Sequence, residues 1–317
     1  NEFELIKKYF SRLTNNKSSL NLNDDVFFDK SKNLVVTVDT YVEGVHFLDF
    51  NEPDNVIKKV LRASISDLIC KGVKPKYYFI SGSGNKTSFS KKNLQKISKS
   101  LKQEQKKFNI SISGGDTVFS NKLSFTIVCI GFSKKIIFRN KVKLNDNIYV
   151  TGNLGDSSVG LSILKKKFAI NKVLKNYFKK SYFVPDIPFN LVKRLHNFAN
   201  SSIDISDGLF ADLDKLINQK NYTYIIDLKK IPISNNLKRF LHIKKLKKIS
   251  FISRGDDYQI LFTADPAKDR IINKISKSLK VKISKIGKIC NQYQKCQIID
   301  EKGKKIAIKH KGYLHNF

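Results

Sequence analysis

Apolar positions along the chain recur with two different periods. Phe3, Ile6, Phe10 and Leu13 fall at helical spacing and predict a short amphipathic helix over residues 2–14. A polar loop, TNNKSSLNLNDD, follows, and Leu34 to Asp39 alternates as a strand does. Asp54 opens a longer helix in which Ile57, Val60, Leu61, Leu68 and Ile69 share the helical period. Gly72 and Pro75 mark its end. Tyr77–Ser81 reads as a strand and residues 90–107 as a Lys/Gln-rich helix. Ile110–Ile112 and Leu123–Phe132 read as strands flanking a Gly114-Gly115-Asp116 turn. After a polar stretch from Lys141 to Asp146 a new unit begins. It has a strand at Ile148–Thr151, a helix carrying Val159, Leu161, Ile163 and Leu164, and a turn at Pro185 and Pro188 before another helix. A strand at Ile203–Ile205 leads into a helix carrying Leu209, Leu213, Leu216 and Ile217. Residues 222–227, 259–262, 281–289 and 297–299 complete the strands. Strands alternate with helices, yet several strand pairs are hairpin-like. The pattern predicts an α+β chain of two α/β subdomains, residues 1–140 and 141–317.

Composition changes this picture little. The 317 residues are 41% hydrophobic, enough for two cores. Sixty Lys and Arg against 27 Asp and Glu leave a net charge of +33. Such an excess points to nucleic acid or an anionic membrane surface. Here the lysines are spread along the whole chain, with Asn, Ile and Phe also abundant, as an AT-rich coding sequence gives. No basic arm or aromatic RNA-binding box concentrates them, so no specific nucleic-acid partner is expected. The longest candidate span, Leu123–Phe132, is too short for a bilayer, and the first residues carry charges where a signal peptide needs an apolar run. Cys70 and Cys129 sit in apolar stretches as small core residues. Cys290 and Cys296 fall near one another in a predicted hairpin. The absence of CxxC pairs suits a reducing, cytoplasmic setting without membrane attachment.

Against the basic background, carboxylates gather in short motifs: Asp24-Asp25, Thr37-Val38-Asp39, Ser66-Asp67, Gly114-Gly115-Asp116 and Asp204-Ile205-Ser206-Asp207-Gly208. Clustered carboxylates without basic neighbours in sequence suit hard cations, and Mg²⁺ is commonly shared between one or two carboxylates and substrate phosphates. Residues i and i+2 of a strand face the same side, so Thr37 projects with Asp39 and Asp204 with Ser206. Gly208 supplies the permissive backbone for a sharp strand-to-helix turn, whose helix N-terminus suits a phosphate or an ordinary cap. Each motif alone has a plainer reading. Gly-Gly-Asp equally suits a hairpin turn, Asp24-Asp25 a solvated loop, Asp67 an exposed helix charge, and Arg139 a solvated surface charge. Gly82-Ser83-Gly84-Asn85-Lys86 lacks the spacing of a Walker phosphate loop and reads as a flexible loop. His46 is the one histidine near the acid set in sequence.

The order of the motifs adds a resemblance. Leu34-Val-Val-Thr-Val-Asp-Thr-Tyr-Val-Glu-Gly-Val-His-Phe47 resembles a family segment in which TTDT is followed by VEGVHF. Then come Ser66-Asp67-Leu68, Gly114-Gly115-Asp116-Thr117, Asn147 to Asp156, Asp204 to Gly208, and Gly255-Asp-Asp-Tyr-Gln-Ile-Leu-Phe-Thr263. The series, from about Phe3 to Gly312-Tyr313, resembles the thiamine-monophosphate kinase family, of the superfamily that includes aminoimidazole ribonucleotide synthetase. The resemblance implies ATP- and Mg²⁺-dependent conversion of thiamine monophosphate to thiamine diphosphate. It implies Asp25, Thr37, Val38 (through its backbone), Asp39, Asp67, Asp116, Asp204 and Asp207 as metal ligands. Gly115, Asp116, Arg139 and Ser206 match ATP contacts, and His46, Asp256 and Tyr313 match the thiamine-phosphate side. It further implies a homodimer in which the N-terminal subdomains share a β-barrel, with ATP between the subdomains.

The chain departs from the family pattern in two places. Asn21 and Asn23 stand where the family has glycines before the first Asp pair, and Asn tolerates left-handed geometry. Asp256 and Gln259 replace two glutamates of GEDYELLFT, and Gln259 removes a charge from that segment. Two alternatives stand beside this reading. One is another ATP-dependent enzyme of the superfamily. Against it, no Cys precedes Cys70, as selenophosphate synthetase would need. The chain ends His315-Asn316-Phe317 without the C-terminal Cys of the hydrogenase-maturation relative, and aminoimidazole ribonucleotide synthetase lacks a VEGVHF-like segment. The other is a basic nucleic-acid-binding protein without catalysis.

Overall fold

The computed structural model describes residues 2–217, 221–293, 295–308 and 310–313. The first sheet holds β1 (Phe27–Asp29), β2 (Leu34–Val42), β3 (Pro75–Gly84), β4 (Ser111–Phe119) and β5 (Ser124–Phe132), in the order β1-β2-β5-β3-β4. Its pairs are antiparallel except for β3 with β4. The second sheet holds β6 (Asn147–Thr151), β7 (Ala199–Asp204), β8 (Tyr222–Asp227), β9 (Ile260–Ala264), β10 (Ile283–Asn291), β11 (Gln297–Ile299) and β12 (Lys305–Ile306), in the order β12-β11-β8-β10-β6-β9-β7. The helices are α1 (Glu2–Leu5), α2 (Pro53–Cys70), α3 (Lys91–Phe108), α4 (Asp156–Leu164), α5 (Lys172–Phe183), α6 (Val192–Leu195), α7 (Leu209–Ile217), α8 (Asn235–Lys244), α9 (Ile249–Ile252) and α10 (Asp269–Leu279). The fold is mixed α/β, and neither sheet closes on itself in the single chain.

Helix α2 is the structural centre. It packs on the first sheet through β2 and β5, and on β7 and α5 from the second half of the chain. A helix covered on all sides is apolar around its whole circumference, and Val56, Ile57, Val60, Leu61, Ile65, Leu68 and Ile69 are all fully buried. Three basic side chains are buried with them at the helix or its end, and each has an acid: Lys59 with Asp256, Arg62 with Glu104, and Lys71 with Asp24 and Asp25. Buried charges persist only when paired in this way. One core runs from the first sheet through α2 to Tyr149 and Phe262 on the second sheet. A second core packs α7 against β8 and β10, and a third lies among α4, α5, α8 and α9.

Three expectations change. The segment over residues 2–14 is α-helical only at Glu2–Leu5; a π-helical turn (Ile6–Phe10) and a 3-10 turn (Ser11–Leu13) follow. Phe10 and Leu13 stay exposed, so no core holds the segment to one period. Gly114-Gly115-Asp116 is no turn. It lies inside the continuous strand β4, and the chain reverses after Phe119. A Cβ at Gly115 would lie 1.8 Å from the carbonyl oxygen of Ile80, so the glycine there serves close strand packing. Gly82 and Gly84 likewise extend β3, and the predicted loop begins only at Asn85. Among the described residues no helix is long and apolar enough to cross a membrane.

Candidate active site

A cleft of about 1400 Å³ opens between β2, α2, the turn after β7, the loop before β9 and the C-terminal segment. Of the residues singled out in the sequence, Val38, Asp39, His46, Asp67, Asp204, Ser206, Asp207, Asp256 and Tyr313 line it. Sequence positions more than 270 residues apart thus meet at one surface. Thr37 lies just behind this wall, hydrogen-bonded to Asp67, and Asp25 lies behind Thr37, its carbonyl accepting from the same hydroxyl.

The inner acids come from three elements. Strand alternation puts Thr37 and Asp39 on the face of β2 that meets α2. Thr37 Oγ1 donates to Asp67 Oδ2 at 2.6 Å and to the Asp25 carbonyl at 3.1 Å. Tyr41 Oη donates to Asp39 at 3.3 Å. Asp204 ends β7, where Ser66 Oγ donates to its Oδ2 at 2.5 Å and Ser206 Oγ to its Oδ1 at 3.4 Å. Among the described residues none of Asp39, Asp67 and Asp204 has a Lys or Arg in ion-pair contact; their partners are hydroxyls. Burial therefore pushes Asp39 up to about 6, against the hydrogen bonds from Ser64 and Tyr41. It pushes Asp204 up to about 8, with the charge of Asp25 adding to it. Asp67 is raised well above the usual carboxylate range by burial and by the charges of Asp39 and Asp204.

The outer acids are arranged differently. Asp24 and Asp25 are not a solvated pair, because Lys71 Nζ lies 2.7 Å from one and 2.6 Å from the other. Arg139 is not a surface charge either. Its side chain is buried, with NH1 3.1 Å from Asp25 Oδ1, and its backbone N–H donates to Asp24 Oδ2 at 3.0 Å. Burial alone would raise Asp25, but Lys71 and Arg139 outweigh it and hold the carboxyl well below the usual range. The loop before this pair uses left-handed geometry at Leu20, Asn21 and Leu22 (φ 51°, 56° and 53°), while Asn23 stays at φ −127°. One of the two asparagines therefore takes the conformation its type allows. Across the cleft, Lys215 bridges Asp207 at 2.6 Å and Asp212 at 2.7 Å, and Asp212 Oδ2 accepts from the N–H groups of Asp207 and Gly208. Gly208 sits at φ 128°, the left-hand side of the map that the sharp turn requires.

The residues matched to the acceptor side share a frame that the sequence did not reveal. His46 Nδ1 accepts from Val42 N–H at 3.0 Å, and Tyr182 Oη donates to the His46 carbonyl at 3.1 Å. Asp256 pairs with Lys59 at 2.6 Å and accepts from Tyr258 Oη at 3.0 Å, while Lys59 Nζ lies 3.6 Å from the centre of the Tyr182 ring. The loop carrying Asp256 lies directly on the turn after β7: Asp256 N–H donates to Ser206 O at 2.9 Å, and a Cβ at Gly255 would meet that oxygen at 1.8 Å. Tyr313 N–H donates to Asp207 O at 2.9 Å, which ties the C-terminal segment to the same turn. Gln259 is buried and lies outside the cleft lining. Its Oε1 accepts from Thr151 at 2.8 Å and its Nε2 donates to Asp186 O at 2.7 Å. A carboxylate would lack that donor, so this departure bears on packing between elements and leaves the cleft wall as it is. Nothing in a chain this rich in lysine marks Lys59, Lys71 or Lys215 by type; only their positions in or at the end of buried helices do.

Gly115 and Asp116 are not brought to this site within one chain. Asp39 pairs across β5 and β3 in a row that ends at Gly115, three strand spacings or about 14 Å away. Asp116 falls in the next row, with Thr40, on the opposite face of the sheet, and is exposed. As for a metal, among the described residues no three His, Cys, Asp or Glu side chains converge to hold an ion. Mg²⁺ shared with phosphates needs only one or two carboxylates per ion. Asp39, Asp67 and Asp204, none with a basic partner among the described residues, suit that requirement; Asp204 is buried and the other two are partly so.

Residues 23–133 match the family model described as AIR synthase related protein, N-terminal domain. The thiamine-monophosphate kinase of Buchnera aphidicola subsp. Acyrthosiphon pisum is 34% identical, covering 99% of this chain and 98% of its own. That of Haemophilus influenzae is 32% identical, covering 91% of this chain and 89% of its own. Among solved structures, AaThiL complexed with AMPPCP and TMP superposes with a TM-score of 0.85 at 26% identity, covering 99% of this chain and 97% of that one. Full-length identity of this order, together with the shared fold, places the chain in the thiamine-monophosphate kinase family.

Proposed function

We propose that the protein transfers the γ-phosphoryl group of ATP directly, in line, onto thiamine monophosphate, giving thiamine diphosphate, with Mg²⁺ required. The observation that carries this reading is the convergence of the inner acids, His46, Asp256 and Tyr313 on one cleft in a chain of this family. A solved relative with AMPPCP and TMP bound supports the choice of both substrates. Phosphoryl transfer depends mainly on positioning and charge stabilisation. Bound Mg²⁺ would neutralise the ATP tail and the acceptor phosphate, which otherwise repel each other. Asp39, Asp67 and Asp204 are the ligands to which no lysine or arginine among the described residues lays claim, with Thr37 and the Val38 backbone beside them. Asp25 and Asp207 would join by exchanging contact with a lysine. His46, Asp256 and Tyr313 orient the acceptor. The acceptor phosphate is already ionised near neutral pH, so no general base is needed.

Within the same proposal, residues 1–140 and 141–317 form two subdomains, each built on one sheet. The nucleotide contacts are Gly115, Asp116, Arg139 and Ser206, and the chain is a homodimer. In support, every residue of β4 is exposed, and Val38, Val118 and Phe132 add apolar area to the uncovered sheet face. An open apolar edge of this kind calls for a partner. A second copy laid on it would form the shared barrel and carry Gly115 and Asp116 to a nucleotide at the subunit boundary. A cytoplasmic setting belongs to the proposal as well; four unpaired cysteines agree with it. Incubation with ATP, Mg²⁺ and thiamine monophosphate tests the function. Thiamine diphosphate should accumulate; ATP hydrolysis without it would point to another acceptor.

A further inference from the structure

The acid set repeats one arrangement at two places that share no secondary-structure element. At the junction of the sheets, Lys71 Nζ bridges Asp24 and Asp25 at 2.7 and 2.6 Å and donates to the Ser202 carbonyl at 3.0 Å. On the far side of the cleft, Lys215 Nζ bridges Asp212 and Asp207 at 2.7 and 2.6 Å. In each bridge one acid is deep, with side-chain exposure of 3% for Asp24 and 0% for Asp212, and is committed to holding backbone. Asp24 accepts from the N–H groups of Asp25 and Arg139, and Asp212 from those of Asp207 and Gly208. The other acid is more exposed, 16% for Asp25 and 26% for Asp207, and belongs to the proposed metal set. Each ammonium is therefore fastened behind and reaches forward to one carboxylate of the site. Among the described residues the inner acids have no such cation.

We infer that Lys71 and Lys215 are anchored internal counter-ions that hold Asp25 and Asp207 in place before a divalent cation arrives and compete with it for those carboxylates. The inference rests on the metal reading above. Its physical basis is simple. An ammonium and Mg²⁺ seek the same oxygens, and neither lysine can withdraw, because its deep acid would be left buried and uncompensated. A metal at Asp25 or Asp207 must then share the carboxylate with a fixed positive charge, which weakens its binding. In return, the outer acids keep their place in the metal-free protein.

The test uses the full chain and MgCl₂ alone. Calorimetric titration is run on the wild type, Lys71→Met and Lys215→Met, with thermal melting in chelator and in saturating Mg²⁺ beside it. Each folded variant should bind Mg²⁺ about tenfold tighter than wild type, because a fixed charge a few ångströms from the ion has gone. Each should also melt lower in chelator and regain more on adding Mg²⁺ than wild type does. Lys71→Met combined with Asp24→Asn should recover part of the chelator stability and keep the tighter binding. Equal or weaker Mg²⁺ binding by the folded variants would overturn the inference and leave both lysines as braces. Should Lys71→Met fold under neither condition, Lys215→Met, at the more exposed bridge, decides the matter by itself. Absence of saturable Mg²⁺ binding in the wild type as well as in Asp39→Asn would instead remove the metal reading on which the inference depends.

Discussion

The inner and outer carboxylates of the cleft have the same chemistry and opposite surroundings. Asp25 and Asp207 each touch a lysine at 2.6 Å. Asp39, Asp67 and Asp204 touch hydroxyls. The first pair is neutralised by the protein itself, and its charge is part of what holds the two sheets and the turn after β7 together. The second set has no basic partner among the described residues, Asp204 buried and Asp39 and Asp67 partly so, a state that costs stability for the ionised form until a cation arrives or a proton is bound. A carboxylate that the fold has already satisfied is a strut first. One left wanting a cation is where a ligand's contribution is to be sought.

Opposite responses to the same substitution would sharpen that contrast. Asp25→Asn should lower stability by about 3 kcal/mol, because it leaves the buried Lys71 and Arg139 short of an acid. Asp204→Asn should raise the melting temperature in chelator above about pH 8, where it removes an unpaired buried charge. Urea and thermal unfolding of both variants checks this. Two losses of similar size would erase the distinction.

The inner set contributes to the pH dependence of the metal-free protein, together with Asp212, raised to about 6 by burial, and the raised Asp156 and Asp257. Asp204 is raised from 3.8 to about 8 and Asp39 from 3.8 to about 6. Between these limits the folded chain holds protons that the unfolded chain has lost, so stability falls as pH rises from about 4 to about 8. Asp25, held low, does not titrate in this window. In chelator the urea midpoint should be lower at pH 8 than at pH 5. Asp204→Asn should make this fall shallower, and an unchanged slope in that variant would contradict the cation-free character of the inner acids.

Much of this was legible in the sequence. The strand at Leu34–Asp39, the helix after Asp54 and the turn at Asp204–Gly208 follow from apolar period and from one glycine. What escaped was what depends on tertiary partners. Gly114-Gly115-Asp116 carries a turn signal, yet parallel pairing with β3 keeps it extended. Asp67 looked like an exposed helix charge because helical phase does not reveal that a second layer covers α2. Gln259 reads in sequence only as a lost charge, and its two buried partners, Thr151 and the Asp186 carbonyl, place it outside the cleft lining. The internal lysines had no local mark at all.

Smaller effects separate the two ends of the cleft. His46→Ala and Tyr313→Ala should raise the KM for thiamine monophosphate by about tenfold, through lost contacts worth roughly 1.4 kcal/mol, with the KM for ATP nearly unchanged. Equal shifts in both constants would dissolve the division between acceptor and nucleotide sides. The smallest effect expected is on RNA. With the lysines spread along the whole chain, RNA binding should be weak and disappear at physiological salt, while kinase activity persists. Tight, sequence-selective retention at that salt would require a second function.

The central claim is that the inner carboxylates carry the metal-dependent transfer. Thiamine diphosphate formation measured across a Mg²⁺ series, for wild type and for Asp39→Asn, addresses it most directly. The account predicts saturable Mg²⁺ dependence in the wild type, and a folded variant slower by at least about two orders of magnitude at every Mg²⁺ concentration. Wild-type turnover in chelator, or near-normal turnover of the folded variant, would contradict it.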